Sequence, residues 1–139
     1  MSARTKARKR AIDALYAAEL RDALATEVLA DNRLALADRQ NQGEIFEFAE
    51  RLVTGVLKNQ LEIDERISAL SQNWSLDRMP ALDRAILRLA CFEILFSDET
   101  PAEVVVSEAV ALAGELSTDE SPSFVNGVLS AIIATRKPI

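Results

Sequence analysis

The sequence of 139 residues contains no histidine and a single cysteine, Cys91. Without histidine, the common zinc sites and every histidine-based triad are excluded, and one cysteine closes no internal disulfide. The four glycines, Gly43, Gly55, Gly114 and Gly127, stand apart from one another. No glycine-rich loop is therefore available to cradle a phosphate. Carboxylate ligation of a metal would need a loop of the EF-hand type, and none is present. No apolar run reaches membrane-spanning length, and the basic N-terminus leads into neither an apolar stretch nor a small-residue cleavage site. A soluble, cytoplasmic protein is expected. Cys91 sits mid-run in the most apolar segment, so the expectation there is a buried, inert thiol rather than a nucleophile. The acids Glu62, Asp64 and Glu65 read as a solvated helix face. Nothing here points to an enzyme, a cofactor or a bound metal.

Basic residues are also in the minority, 16 Lys and Arg against 22 Asp and Glu, for a formal charge of -6. Taken as one number, that charge argues against nucleic acid. Its distribution argues otherwise. Arg4, Lys6, Arg8, Lys9 and Arg10 crowd the first ten residues with no acid among them. Between Arg88 and Arg136 there is no Lys or Arg, while Glu93, Asp98, Glu99, Glu103, Glu108, Glu115, Asp119 and Glu120 fall there. The chain has a cationic tip, at residues 1–10, and an anionic C-terminal half. A short basic run can be a frayed, solvated terminus, but this one leads straight into a helical pattern.

That pattern continues throughout. Ile12, Leu15, Tyr16 and Leu20 form an amphipathic stripe, with Arg8 and Arg4 near it and Lys6 and Arg10 well away. Residues 26–37 suggest one or two short helices, and Asn41-Gln42-Gly43 reads as a loop. From Glu44, apolar residues recur through Ile45, Phe48, Leu52, Val56, Ile63, Ile67 and Leu70, which predicts one long helix. Three further helices begin near Pro80, Pro101 and Pro122. The stretch from Leu82 to Phe96 is apolar nearly all round and belongs in the centre of a bundle. Thr100-Pro101-Ala102-Glu103 has the form of a capping box with proline at the first helical position. The expectation is an all-α single domain, residues 1–139, of six or seven helices.

Two surface features remain as candidate sites. One is the basic tip, with Tyr16 further along the same helix. The other is the start of the last helix, Ser121 to Gly127, where free amides suit phosphate, Asn126 can read a base edge and Phe124 can stack on one. On spacing alone the blander reading is preferred: Phe124 in the core, Asn126 a cap-region hydrogen bonder and Gly127 a packing notch.

Four strings nevertheless resemble the NusB family of transcription antitermination factors. They are Ala7-Arg8-Lys9-Arg10-Ala11 with Ala14-Leu15-Tyr16; Leu82-Asp83-Arg84-Ala85-Ile86-Leu87-Arg88; Val104 to Ala113; and Ser121 to Leu129, ending in Phe-Val-Asn-Gly-Val-Leu. Order and spacing match from about residue 4 to about residue 134. The resemblance implies two small packed helical subbundles and a factor that binds boxA-type single-stranded RNA together with NusE, a ribosomal protein. Such a complex helps RNA polymerase read through terminators, especially in ribosomal RNA operons. Carried over position by position, the RNA contacts are Arg4, Lys6, Arg8 and Arg10 with Glu120, Ser121, Phe124 and Asn126. The NusE-facing positions are Tyr16, Asp77 and Asp83. Ser123 stands where the family pattern has lysine, and Glu120 where it has aspartate, so weak RNA binding alone and stronger binding with NusE is expected. Two rival readings are a self-associating helical protein, for instance a homodimer, and a detached RNA-binding domain of a ribosomal RNA modification system.

Overall fold

The structure, a computed structural model, describes residues 2–36, 39, 42–71 and 74–136. Among them every regular element is an α-helix: α1 (Ala3–Arg21), α2 (Ala25–Ala35), α3 (Gln42–Leu70), α4 (Ala81–Phe96), α5 (Ala102–Leu116) and α6 (Ser121–Thr135). The all-α expectation holds. None of these helices is long and apolar enough to cross a membrane. The chain divides into two compact units, residues 1–58 and 59–139.

In the first unit α1 packs on α2. The buried face of α1 differs from the expected stripe. Ala7, Ala11, Ala14 and Ala18 are buried together with Ile12, whereas Leu15 and Tyr16 are only half-buried and Leu20 is exposed. Alanine is a weak signal of burial when side-chain size guides the eye, but a row of alanines lets helices approach closely. Choosing that face carries Arg8, one turn before Ala11 and Ile12, out of solvent. The other buried residues of the unit come from α2 (Ala25, Val28, Leu29) and from α3 (Ile45, Phe46, Phe48, Ala49, Leu52, Val53, Val56). The segment read as a loop is shorter than expected: Gln42 and Gly43 already belong to α3, and Asn41 lies outside the described residues.

In the second unit α4 packs on both α5 and α6, and α5 packs on α6. Ala85, Ile86, Leu87, Leu89, Ala90, Cys91 and Ile94 of α4 are all buried, as an apolar-all-round helix requires. Polar side chains brace this unit from inside. Arg88 grips Asp64 of α3 through two parallel bonds, Nε to Oδ1 at 2.8 Å and Nη2 to Oδ2 at 3.0 Å. That fork geometry is the strong form of an ion pair. Arg84 donates from Nη1 to the carbonyls of Leu76 (2.8 Å) and Met79 (3.2 Å), which ties down the segment ahead of α4.

The helix starts near the prolines are observed, with different caps. Pro101 is the N-cap of α5 with ψ 144°, one place before the first helical position expected for it. Pro101 is extended rather than helical, and its carbonyl accepts the amides of Val104 and Val105, at 3.0 and 3.1 Å. Pro80 takes the same place at α4.

Cys91 has no exposed surface, and burial pushes its thiol up to about 12, with Arg66 opposing the shift and Asp64 and Glu62 adding to it. A thiol reagent at neutral pH should label the native chain only as fast as it unfolds. Rapid labelling of folded protein would contradict the burial.

Candidate nucleic-acid interface

In the first unit the basic run is helical from its first turn. Ser2 is the N-cap, its Oγ accepting the Thr5 amide at 3.1 Å, and α1 has no acid in its first turn. Cations at the positive end of a helix dipole are unfavourable by about 0.3–1 kcal/mol each at exposed sites. The arrangement favours an anion docked from outside. Arg4 and Lys6 are exposed. Arg4 stacks on Phe48 with its guanidinium carbon 3.9 Å from the ring centroid. Arg8 is only 3% exposed and lies 5.7 Å from the same ring, and Arg51 of α3 lies 5.1 Å from it. Arg10 is half-buried over Phe46 at 5.8 Å, with its Nε buried and lacking a hydrogen-bond partner. The sequence had placed Arg10 well away from the buried stripe. The alanine-faced packing of α1 turns it partly inward. Asp13 is the nearest acid along α1. Partial burial raises its carboxyl above the ordinary range, against the lowering pull of Arg10 and Lys9.

In the second unit the start of α6 is held by a buried carboxylate. Asp83, in the first turn of α4, has no exposed surface. Its Oδ1 accepts the Ser117 hydroxyl at 2.6 Å and its Oδ2 the Ser121 hydroxyl at 2.9 Å. Ser121 Oγ in turn accepts the Thr118 amide at 3.2 Å. This network fixes the turn between α5 and α6.

Beyond the turn lies a groove of about 860 Å³, lined by Leu70, Trp74, Glu120, Ser123, Phe124 and Gly127 among others. Trp74 and Phe124 meet edge to face, centroids 5.0 Å apart. Phe124 is half-buried rather than core, and Asn126 is exposed. Gly127 is exposed, and a Cβ there would meet nothing within 4 Å. It is not a packing notch. Its missing side chain instead leaves the groove floor beside the two aromatic rings open.

The expected contact residues thus fall into three kinds. Arg4, Lys6, Glu120 and Asn126 are exposed; Arg10, Phe124 and Tyr16 are half-buried. Asp77 is exposed on the segment that Arg84 holds. Arg8, Asp83 and Ser121 are buried. Asp83, expected as a partner-facing acid, is buried in this chain, where its carboxylate accepts two serine hydroxyls. Ser121 likewise spends its hydroxyl on Asp83 and Thr118. Trp74 and Arg51 were missed. Trp74 lies in a non-periodic segment, and Arg51 is one cation among the acids of α3.

With this geometry in place, comparison with known proteins is informative. The model of the NusB family matches residues 5–134. Transcription antitermination protein NusB of Nocardioides sp. is 48% identical over 136 residues, covering 98% of this chain and 97% of that protein. T. maritima NusB superposes with a TM-score of 0.86 at 34% identity, over 97% of this chain and 93% of that one. A solved assembly of antitermination factors NusB and NusE in complex with dsRNA matches with a TM-score of 0.84 at 29% identity, over 96% and 98%.

Proposed function

The chain belongs to the NusB family, and from that we propose that it is a transcription antitermination factor that binds boxA RNA together with NusE. In this reading it helps RNA polymerase pass terminators, above all in ribosomal RNA operons. It works in the cytoplasm as an adaptor and not as a catalyst. The carrying observation is the pairing of an acid-free cationic helix start with a full-length family match. A solved relative pairs NusB with NusE and double-stranded RNA, which supports both partners.

The two candidate surfaces divide the work by chemistry. The exposed cations of α1 attract phosphates without regard to sequence. The groove beside α6 offers two aromatic rings and the acids Asp119 and Glu120. Such a lining suits the faces and amino groups of unstacked bases and repels phosphates, which favours single-stranded RNA. Asp77 supplies an exposed acid for a basic ribosomal protein, an arrangement that mainly raises encounter rate.

The test is an RNA titration with NusE added and omitted, using boxA, a scrambled strand and a boxA duplex. Weak binding alone and preferential binding of single-stranded boxA with NusE are expected. If about four cations neutralise phosphates, log affinity should fall with log salt at a slope near -3, at roughly -0.7 per contact for single strands. A flat salt response with no boxA preference would reject the RNA role.

A further inference from the structure

Arg51 belongs to α3, far along the chain from the basic tip, yet its guanidinium shares the Phe48 ring with two arginines of α1. Arg4, Arg8 and Arg51 lie 3.9, 5.7 and 5.1 Å from that one centroid. Phe48 itself is only 4% exposed. The three guanidinia thus border one nearly buried ring, whose quadrupole attracts each of them. The stacking has a second effect. A guanidinium held against a ring has already lost much of its rotational freedom, and its N–H fork matches the two free oxygens of a phosphodiester. Arg4 and Arg51 are the exposed members of the cluster, while Arg8 sits beneath.

We propose that Arg51, with Arg4 on the Phe48 ring, forms a phosphodiester-binding clamp that extends the RNA-contacting surface from α1 onto α3. This rests on the RNA-binding reading above. Glu47 and Glu50 are exposed on the same helix and temper the local potential, so the contribution of Arg51 is that of one phosphate contact rather than more. The acid-free first turn of α1, which carries Arg4, adds the positive end of its helix dipole to the attraction for a phosphate.

The experiment is a salt titration of single-stranded boxA RNA binding to the full chain with NusE present, comparing wild type with Arg51→Gln and Arg51→Lys. Arg51→Gln should make the log–log slope shallower by about 0.7 and weaken binding roughly fivefold at about 0.1 M salt, as the loss of one counterion-releasing contact requires. Arg51→Lys, which keeps the charge, should retain the wild-type slope. Circular dichroism spectra of the three proteins should coincide, because the side chain is exposed and the helix is retained. Wild-type slope and affinity in Arg51→Gln overturn the clamp while leaving the RNA reading intact. Equal weakening in both variants with an unchanged slope assigns Arg51 to packing and also overturns it. Failure of the wild type to bind RNA at all removes the RNA reading and the clamp together.

Discussion

Asp83→Ala is expected to destabilise the chain by about 3 kcal/mol, since hydrogen bonds to a charged group are worth about 1.5–3 kcal/mol each and two are lost. The carboxylate is the acceptor for Ser117 and Ser121, and it has no exposed surface through which water could replace it. Removing it deprives the buried Ser121 hydroxyl and the half-buried Ser117 hydroxyl of their carboxylate acceptor and leaves a small void. Asp83→Asn should be milder, because the amide oxygen still accepts from one serine and the amide nitrogen can donate to the other. Urea denaturation gives the measurement: the midpoint should fall in the order wild type, Asn, Ala at constant slope. RNA binding tested well below the transition should weaken as well, since the network fixes the first turn of α6 beside Phe124 and Asn126. A partner-facing acid predicts the reverse pattern, with stability unchanged and only association with NusE slowed. That outcome would restore Asp83 to the surface.

This reversal shows where the sequence was legible. The string Asp83-Arg84 to Arg88 is among the most specific signs of the family, and the structure gives each charged member an internal task. Asp83 holds the start of α6, Arg84 holds the segment before α4, and Arg88 grips Asp64. A sequence displays charge but not burial, so a residue diagnostic of the family reads as a contact, whereas within the chain it braces the start of α6. The cationic tip was readable because ten residues without an acid leave a signal that no packing can hide. The six helices followed from apolar period and proline position. The face of α1 did not, because its buried row is alanine, and the position of Arg10 went with it, although Arg8 lies near the buried face as expected. Trp74 escaped because its partner Phe124 lies fifty residues on, and no local pattern joins them. Arg51 escaped for the same reason, because it meets Arg4 on the Phe48 ring, far away along the chain.

Gly127→Leu is expected to separate folding from function in a single substitution. A Cβ at this position meets nothing within 4 Å, so a side chain can start there without a clash. Replacing glycine inside a helix by a good helix former should raise stability by about 1 kcal/mol. The new side chain would project into the groove that Trp74 and Phe124 line. If a base occupies that groove, RNA affinity should drop, and stacking worth about 1–3 kcal/mol per base corresponds to a loss of roughly 5- to 150-fold. Phe124→Ala should match that loss of affinity but with the opposite effect on stability, because it also removes the edge-to-face contact with Trp74. The pair guards against the ordinary ambiguity of a binding defect. A weaker binder that is also less stable is explained equally well by unfolding, whereas a weaker binder that melts higher is not. The salt slope supplies a further check, since neither change removes a cation and both should leave it at the wild-type value. A Gly127→Leu protein that binds boxA as tightly as wild type would show the groove empty in the complex. Base recognition would then have to be sought along the exposed face of α6, with Asn126 as the first residue to test.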